Sequence, residues 1–336
     1  MTLIGGLGNS GGLIGGKLAG TVAAPRATEA QAAAGTDNSA YMTALRVAQA
    51  IEANVGVFVN AFGAAGDDAT DCTAAFTAAR LTGKPILLGA GIYRVSSAIA
   101  ITASKTGLIG MGREVSEIKI VSTTADAITI ADGLSRIILK GLRITREGVP
   151  VAGADGINAS AAVLGTSTFD DLWVEGHYDG VSLGVTDYSF VNQVMSQRNY
   201  RDGFRIANVG TNGQCQWNLH QCFAQFNDGA GYIVKSGSET GQITIGNWDS
   251  CGTFANTGKG MTFEGTANMP IQGARLHNCY VGDDNGGAGI YFDTYGTFHR
   301  VTSSFVELIG RGLSGRLYNT AATNTGPGIW ATANNN

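Results

Sequence analysis

Four asparagines, Asn199, Asn227, Asn256 and Asn285, each stand four residues before a glycine: Gly203, Gly231, Gly260 and Gly289. Successive asparagines are separated by 28, 29 and 29 residues. After each glycine comes an alternating apolar run: Phe204-Arg205-Ile206, Tyr232-Ile233-Val234, Met261-Thr262-Phe263 and Ile290-Tyr291-Phe292. A second column keeps the same step. Val194, Cys222 and Cys251 lie nine residues before their glycines, and Cys279 lies ten before. A unit of this length that repeats along a chain is the signature of a solenoid, in which each repeat packs only on its neighbours. Apolar residues alternate with period two, so the unit is built of strands and turns. Equivalent residues then stack at about 4.8 Å, the spacing of paired strands. The asparagines are expected to form a ladder of side-chain amides, and the cysteine column to sit inside as small apolar groups.

Composition narrows what such a solenoid can do. The chain of 336 residues holds 50 Gly and 5 Pro without a G-X-Y period, which excludes collagen and favours tight turns. A net charge of −4 gives no electrostatic footprint for nucleic acid or an anionic membrane. No apolar run is long enough for a membrane-spanning helix, so membrane insertion is not expected. Near the start, Leu3–Gly6 and Leu13–Gly16 repeat Leu-Ile-Gly-Gly without a basic flank, which argues against a secretory signal. Five cysteines with no C-x-x-C pair fit folding in a reducing cytoplasm, and neither metal nor cofactor is expected.

Residues 1–22 cannot form a core of their own. They are either a flexible arm or an apolar peg that orders in a partner's socket. Residues 23–60 carry two short helical patterns: Ala27–Ala34, stopped by Gly35, and a second capped by Asp37-Asn38-Ser39 with the stripe Leu45, Ala48, Ile51. The stretch 27–54 resembles a short repeat of bacteriophage tail-fibre proteins. It matches at Thr28, Glu29, Gly35, Thr36, Asp37, Met42, Thr43, Leu45, Arg46, Gln49 and Ile51, and Ala44 replaces the usual Pro. That resemblance implies a virion tail component, trimeric, attached by its N-terminus to a tail or baseplate protein.

Residues 64–98 resemble the opening module of pectate-lyase-like phage tailspikes, G-D-G-x-T-D-D-T-x-A-I followed by L-P-x-G-x-Y. Here Asp68, Cys72 and Gly89 depart from the pattern. The resemblance implies a right-handed parallel β-helix with a helix at about 71–82 covering its first coil. Asp71 is expected to cap that helix and Gly83 to end it; the acidic residues here serve the cap and the preceding turn. The β-helix then occupies 61–336. It loses the asparagine ladder after Asn285, where Arg311 takes the equivalent place, and ends at an incomplete coil near Gly328–Trp330.

For chemistry, the register brings Asp155, Asp179 and Asp202 to one place in three successive coils, each directly before a glycine. Carboxylates one or two coils apart would be about 5 or 10 Å apart, near the separations that glycosidases use. Glu175 and Asp228 lie close by in register. Asp-Gly is equally the chemistry of a repeated turn, and a turn repeated per coil repeats its aspartate. His177, His220, His277 and His299 lack metal-ligand spacing. Trp173, Trp217, Trp248, Tyr178, Tyr188 and Tyr200 can stack on sugar rings, fill the lumen or line a subunit interface.

The expectation is therefore an all-β parallel β-helix with short N-terminal helices, forming a homotrimer in a phage tail. Its role is to contact host surface polysaccharide, with Asp155, Asp179 and Asp202 as catalytic candidates. Two alternatives stay open. One is a depolymerase, hydrolase or lyase. The other is a rigid adaptor that carries a further fibre chain at its C-terminal end.

Overall fold

The structure, a computed structural model, describes residues 26–34, 43, 46–47, 49–50, 55–207, 214–236, 243–268, 271–282, 289–292, 299–306 and 318–319. The arm at 1–22, the Asp37–Ser39 cap, Asn285, Arg311 and the last expected coil at 328–330 lie outside the described residues. The chain divides into two units, 1–56 and 57–336.

In the first unit, helix α1 spans Glu29–Ala34. The Gln31 amide donates to Thr28 Oγ1 at 3.2 Å, and the Thr28 amide donates to Gln31 Oε1 at 2.8 Å. This reciprocal pair is a capping box, which fixes where the helix begins. Thr43 Oγ1 accepts the Arg46 amide at 3.3 Å in the same manner.

The second unit is a parallel β-solenoid, as the repeat predicts. Each coil lays one strand on each of three faces. A single coil shows the order: Ile138–Lys140 on the first face, Leu142–Arg146 on the second, Ile157–Leu164 on the third. All strand pairs are parallel and join neighbouring coils. On the first face, Val57, Ile86, Leu108, Leu139, Phe169, Val191, Leu219, Trp248, Leu276 and Val301 stack in register. On the third, Phe204 stacks flat on Tyr232, centroids 4.7 Å apart, and Phe263 on Phe292 at 4.9 Å. Burying these aromatic and branched side chains end to end is the chief source of stability in such a fold.

The expected columns are in place. Val194, Cys222, Cys251 and Cys279 follow the register of the second face and are buried. The ladder joins Asn199, Asn227 and Asn256: each side-chain amide donates to the next Oδ1 at 2.8 Å, and each backbone N–H donates to the same oxygen at 3.0 Å. His177 occupies this column one coil earlier, its N–H donating to Asn199 Oδ1 at 3.1 Å.

Corners between the first and second faces are turned by one left-handed residue per coil: Gly141, Asp171, Gln193, Gln221, Ser250, Asn278 and Ser303, with φ between 51° and 64°. A second such column, Gly176, Arg198, Phe226 and Ala255, follows the second face. Non-glycine residues seldom adopt this conformation. Here the parallel ladders on either side hold it.

Helix α2, Thr73–Arg80, packs on the first coil. It begins within a residue or two of expectation. Asp71 Oδ1 accepts the Thr73 amide at 2.9 Å, and Asp67 accepts the amides of Ala69 and Thr70. Phe76 and Ala79 are buried beneath it, and Phe76 meets Tyr93 edge to face at 6.2 Å. Gly83, at φ +67°, donates its N–H to the Arg80 carbonyl and ends the helix.

Candidate functional site

Asp155, Asp179 and Asp202 are neighbours in space, as the register predicts. The column begins one coil earlier than the sequence suggested, at Asp126. Asp126 Oδ1 accepts the Asp155 amide at 2.8 Å, Asp155 that of Asp179 at 3.2 Å, Asp179 that of Asp202 at 3.1 Å, and Asp202 that of Ala230 at 2.8 Å. Asp126 precedes Ala127 and not a glycine, which is why the Asp-Gly pattern passes over it.

This column is enclosed. Asp155 is 5 % exposed, Asp179 0 % and Asp202 5 %. Ser182 donates to Asp155 Oδ2 at 2.6 Å. Arg201 forks onto both oxygens of Asp179, and Arg205 donates to Asp202 at 3.3 Å. Every carboxylate oxygen of the three has a partner within the protein. Burial, reinforced by the charge of Asp179, pushes Asp155 up to about 6 and raises Asp202. The hydrogen bond to Asp179 raises Arg201 and keeps it charged.

A different set of polar groups faces outward on the second face. Strand residues there point alternately into the lumen and out. The outward columns in register are Ile92, Glu117, Arg143, Trp173, Met195, Phe223 and, beside it, Arg94, Lys119, Thr145, Glu175, Gln197, Gln225. Of these, Ile92, Glu117, Lys119, Arg143, Thr145 and Glu175 line a groove of about 660 Å³, together with Arg146, Gly148, Val149, Arg198 and Tyr200. Glu175, which the sequence placed near the aspartates, is one of its lining residues. Glu175 accepts from Arg198 at 2.9 Å, Gln197 at 3.1 Å and Arg143 at 3.3 Å. Burial alone would raise its carboxyl, but the Arg198 and Gln197 hydrogen bonds and the Arg143 charge outweigh it and hold the group below its ordinary range. Glu117 accepts from Thr145 at 2.6 Å and lies 3.8 Å from Arg143. The Arg143 guanidinium lies over the Trp173 ring, 4.7 Å from its centroid. Lys119 bonds both oxygens of Asp68 at 2.7 Å. Sequence reasoning missed Glu117, Arg143 and Arg198 because no local motif joins them; only the coil register brings them together.

The aromatic residues divide three ways. Trp217 and Trp248 fill the lumen. Trp173 supports the groove, and Tyr178 lies beneath Arg201 at 4.4 Å. Tyr188 and Tyr200 are exposed. The histidines also scatter. His177 is fully buried, and burial together with the charge of Arg146 lowers it to about 3. His299 is stacked on Phe292 at 4.3 Å, and burial lowers it to about 4. His220 and His277 flank Asp249 on the first face. No cluster with metal-holding geometry occurs among the described residues.

No family model and no curated protein matches the sequence. Solved structures do match in fold. ORF18 of Geobacillus virus E2 aligns with a TM-score of 0.58 at 16 % identity, over 79 % of this chain and 56 % of that one. The Agl-KA catalytic domain aligns with a TM-score of 0.52 at 18 % identity, over 75 % and 48 %. The Dettilon tailspike protein aligns with a TM-score of 0.48 at 14 % identity, over 80 % and 64 %. The chain thus spans about half the length of the first two. What it has in common with them is the parallel β-solenoid.

Proposed function

We propose that this chain is a phage tail protein whose solenoid contacts host surface polysaccharide through the groove on the second face. The observation that carries this reading is the groove itself. It is an open trough of about 660 Å³ along successive coils, lined by charged side chains held in fixed geometry and by Tyr200. A trough that runs over several coils suits a polymer better than a compact ligand, and polar groups locked by one another are preorganised to bind. The tail-fibre resemblance at 27–54 supports attachment to a virion tail through the N-terminal unit, and homotrimeric assembly goes with it.

A depolymerase is the second reading, favoured by one observation: Glu117 and Glu175 face the same trough, bridged by Arg143. In that reading Glu175, held ionised, serves as base or nucleophile. The enclosed aspartates stay candidates only if the Arg201 cover opens.

One experiment separates these. Host polysaccharide is incubated with the full chain and with E117Q, E175Q, D179N and D202N, and both retention and reducing-end release are followed. Retention without release by the wild type supports the adhesive reading. Release lost at least 100-fold in E117Q or E175Q supports the enzyme, and release lost only in folded D179N or D202N returns the chemistry to the aspartate column. Neither retention nor release would overturn the proposal.

A further inference from the structure

The groove's charges do not balance. Lys119, Arg143, Arg146 and Arg198 line it against two carboxylates, Glu117 and Glu175, on a chain whose net charge is −4. Lys119 is spoken for by Asp68, and Arg94 above it pairs with Glu147 at 3.0 Å. Arg146 is fixed in the wall: it donates to the carbonyls of Ser122, Ala125 and Ala154 and to His177 Nδ1. Arg143 and Arg198, by contrast, converge on one carboxylate, that of Glu175. Arg143 also reaches Glu117 at 3.8 Å; with Arg146 the lining still carries more cations than carboxylates, and the Arg198 side chain is 61 % exposed. The spare hydrogen-bonding capacity has the same sign. Arg143 Nε and Trp173 Nε1 have no acceptor. Both are donors, and both are enclosed beneath the outer surface of the face.

Next to the charged part lies an apolar one. Arg198 stands over the Phe226 ring at 5.9 Å, and Phe226 meets Phe254 at 6.1 Å. Phe223 continues the Arg143–Trp173–Met195 column one coil further on. Its ring lies across the backbone of Gly252: a Cβ there would come within 2.6 Å of Phe223 Cδ1 and Cε1. Gly252 therefore lets the ring lie flat, and Phe223 and Phe226 are 37 % and 47 % exposed. Exposed rings on the coil that follows Arg198, Phe226 beneath its guanidinium and Phe223 further along the strand, are what a sugar residue with one apolar face and one anionic group would use.

We propose that the ligand of the groove is an acidic polysaccharide, with an anionic sugar substituent on Arg143 and Arg198 and an adjoining ring on the Phe223–Phe226 platform. This rests on the glycan-binding reading above and specifies its substrate class. Guanidinium pairs bind carboxylate and sulfate alike, so the anion is the shared chemistry.

The test is equilibrium binding of the full chain to a panel of purified acidic and neutral bacterial capsular and O-antigen polysaccharides, at low and high salt. The expected result is binding confined to acidic members and weakened several-fold at 0.5 M salt. R198A and R143A should each lower affinity about tenfold. G252A should lower it a few-fold with an unchanged melting temperature, because only the Phe223 ring has to move. Chemical reduction of the carboxyl groups of the bound polysaccharide abolishes binding if the anion is a uronate-type carboxylate and leaves it intact if the anion is a sulfate or phosphate. Equal binding of neutral members, indifferent to salt, would overturn the acidic assignment and leave the glycan-binding reading standing. Binding unaltered in R143A, R198A and G252A would remove the ligand from this groove. No binding across the panel would overturn both.

Discussion

Two kinds of side chain, amide and carboxylate, do the same work in this protein. An oxygen on one coil accepts the backbone N–H of the equivalent residue on its neighbour. The amide does so without charge; the carboxylate must lose its hydration inside the wall. Asp155 shows the consequence. Its carboxyl is pushed up to about 6, so between its ordinary value near 4 and that value the folded chain binds the proton and the unfolded chain does not. Stability from this group is complete below about pH 4 and is lost as pH rises through 6. The difference is on the order of 2 to 3 kcal/mol. D155N keeps the acceptor and removes the charge. Its melting temperature should exceed that of the wild type at pH 7.5 and match it near pH 4, as read by thermal unfolding at the two pH values. His177, buried neutral, acts in the opposite direction below its ordinary pKa, which is why the comparison is between variants and not between pH values alone. In the amide column, N227A leaves the Asn199 N–H without its acceptor in a buried site. The expected loss is about 2 to 3 kcal/mol by chemical denaturation. A loss under about 0.5 kcal/mol would mean that water fills the gap.

At the scale of the element, helix α2 protects the first coil through one large side chain. F76A removes the ring that meets Tyr93 and should cost about 3 to 5 kcal/mol locally. Because coils couple mainly to their neighbours, the loss should appear as faster amide exchange in strands near Tyr93 and Ile118, with the coil at Trp248 little changed. Uniform acceleration along the chain would show that the solenoid melts as one unit. This helix was legible in the sequence because its signals are local: an aspartate before it, a glycine after it, an aromatic on one face. The coils were legible from Asn199 on because asparagine and glycine recur at a fixed step. The corners were not. Gln193, Gln221, Ser250 and Asn278 turn the chain in the left-handed region, yet none is the glycine that a reader of sequences seeks there. Those single residues also flip the inside–outside parity, which is why Trp173 faces out while Trp217 and Trp248 face in. The groove was hidden for the same reason. Glu117, Arg143, Glu175 and Arg198 come from four coils, and nothing short of the full register places them together.

For the solenoid unit as a whole, a core built from stacked columns has a chemical readout. Cys72, Cys222, Cys251 and Cys279 are buried, and burial pushes the Cys279 thiol up to about 12. These four should resist a thiol reagent until the coils around them open, so mass-resolved labelling in denaturant should report opening coil by coil. Fast labelling of Cys251 or Cys279 in native buffer would contradict a closed lumen. The two ladders carry a further implication, because each has a direction. The carboxylates of one coil wait for N–H groups of the coil that follows, and the amide donors of one coil wait for oxygens of the coil that follows. A chain that emerges N-terminus first therefore meets, at every stage of its synthesis, a finished surface already patterned for the next layer. The ladders are thus patterned as a growing crystal face is, each turn a template for epitaxy of the next.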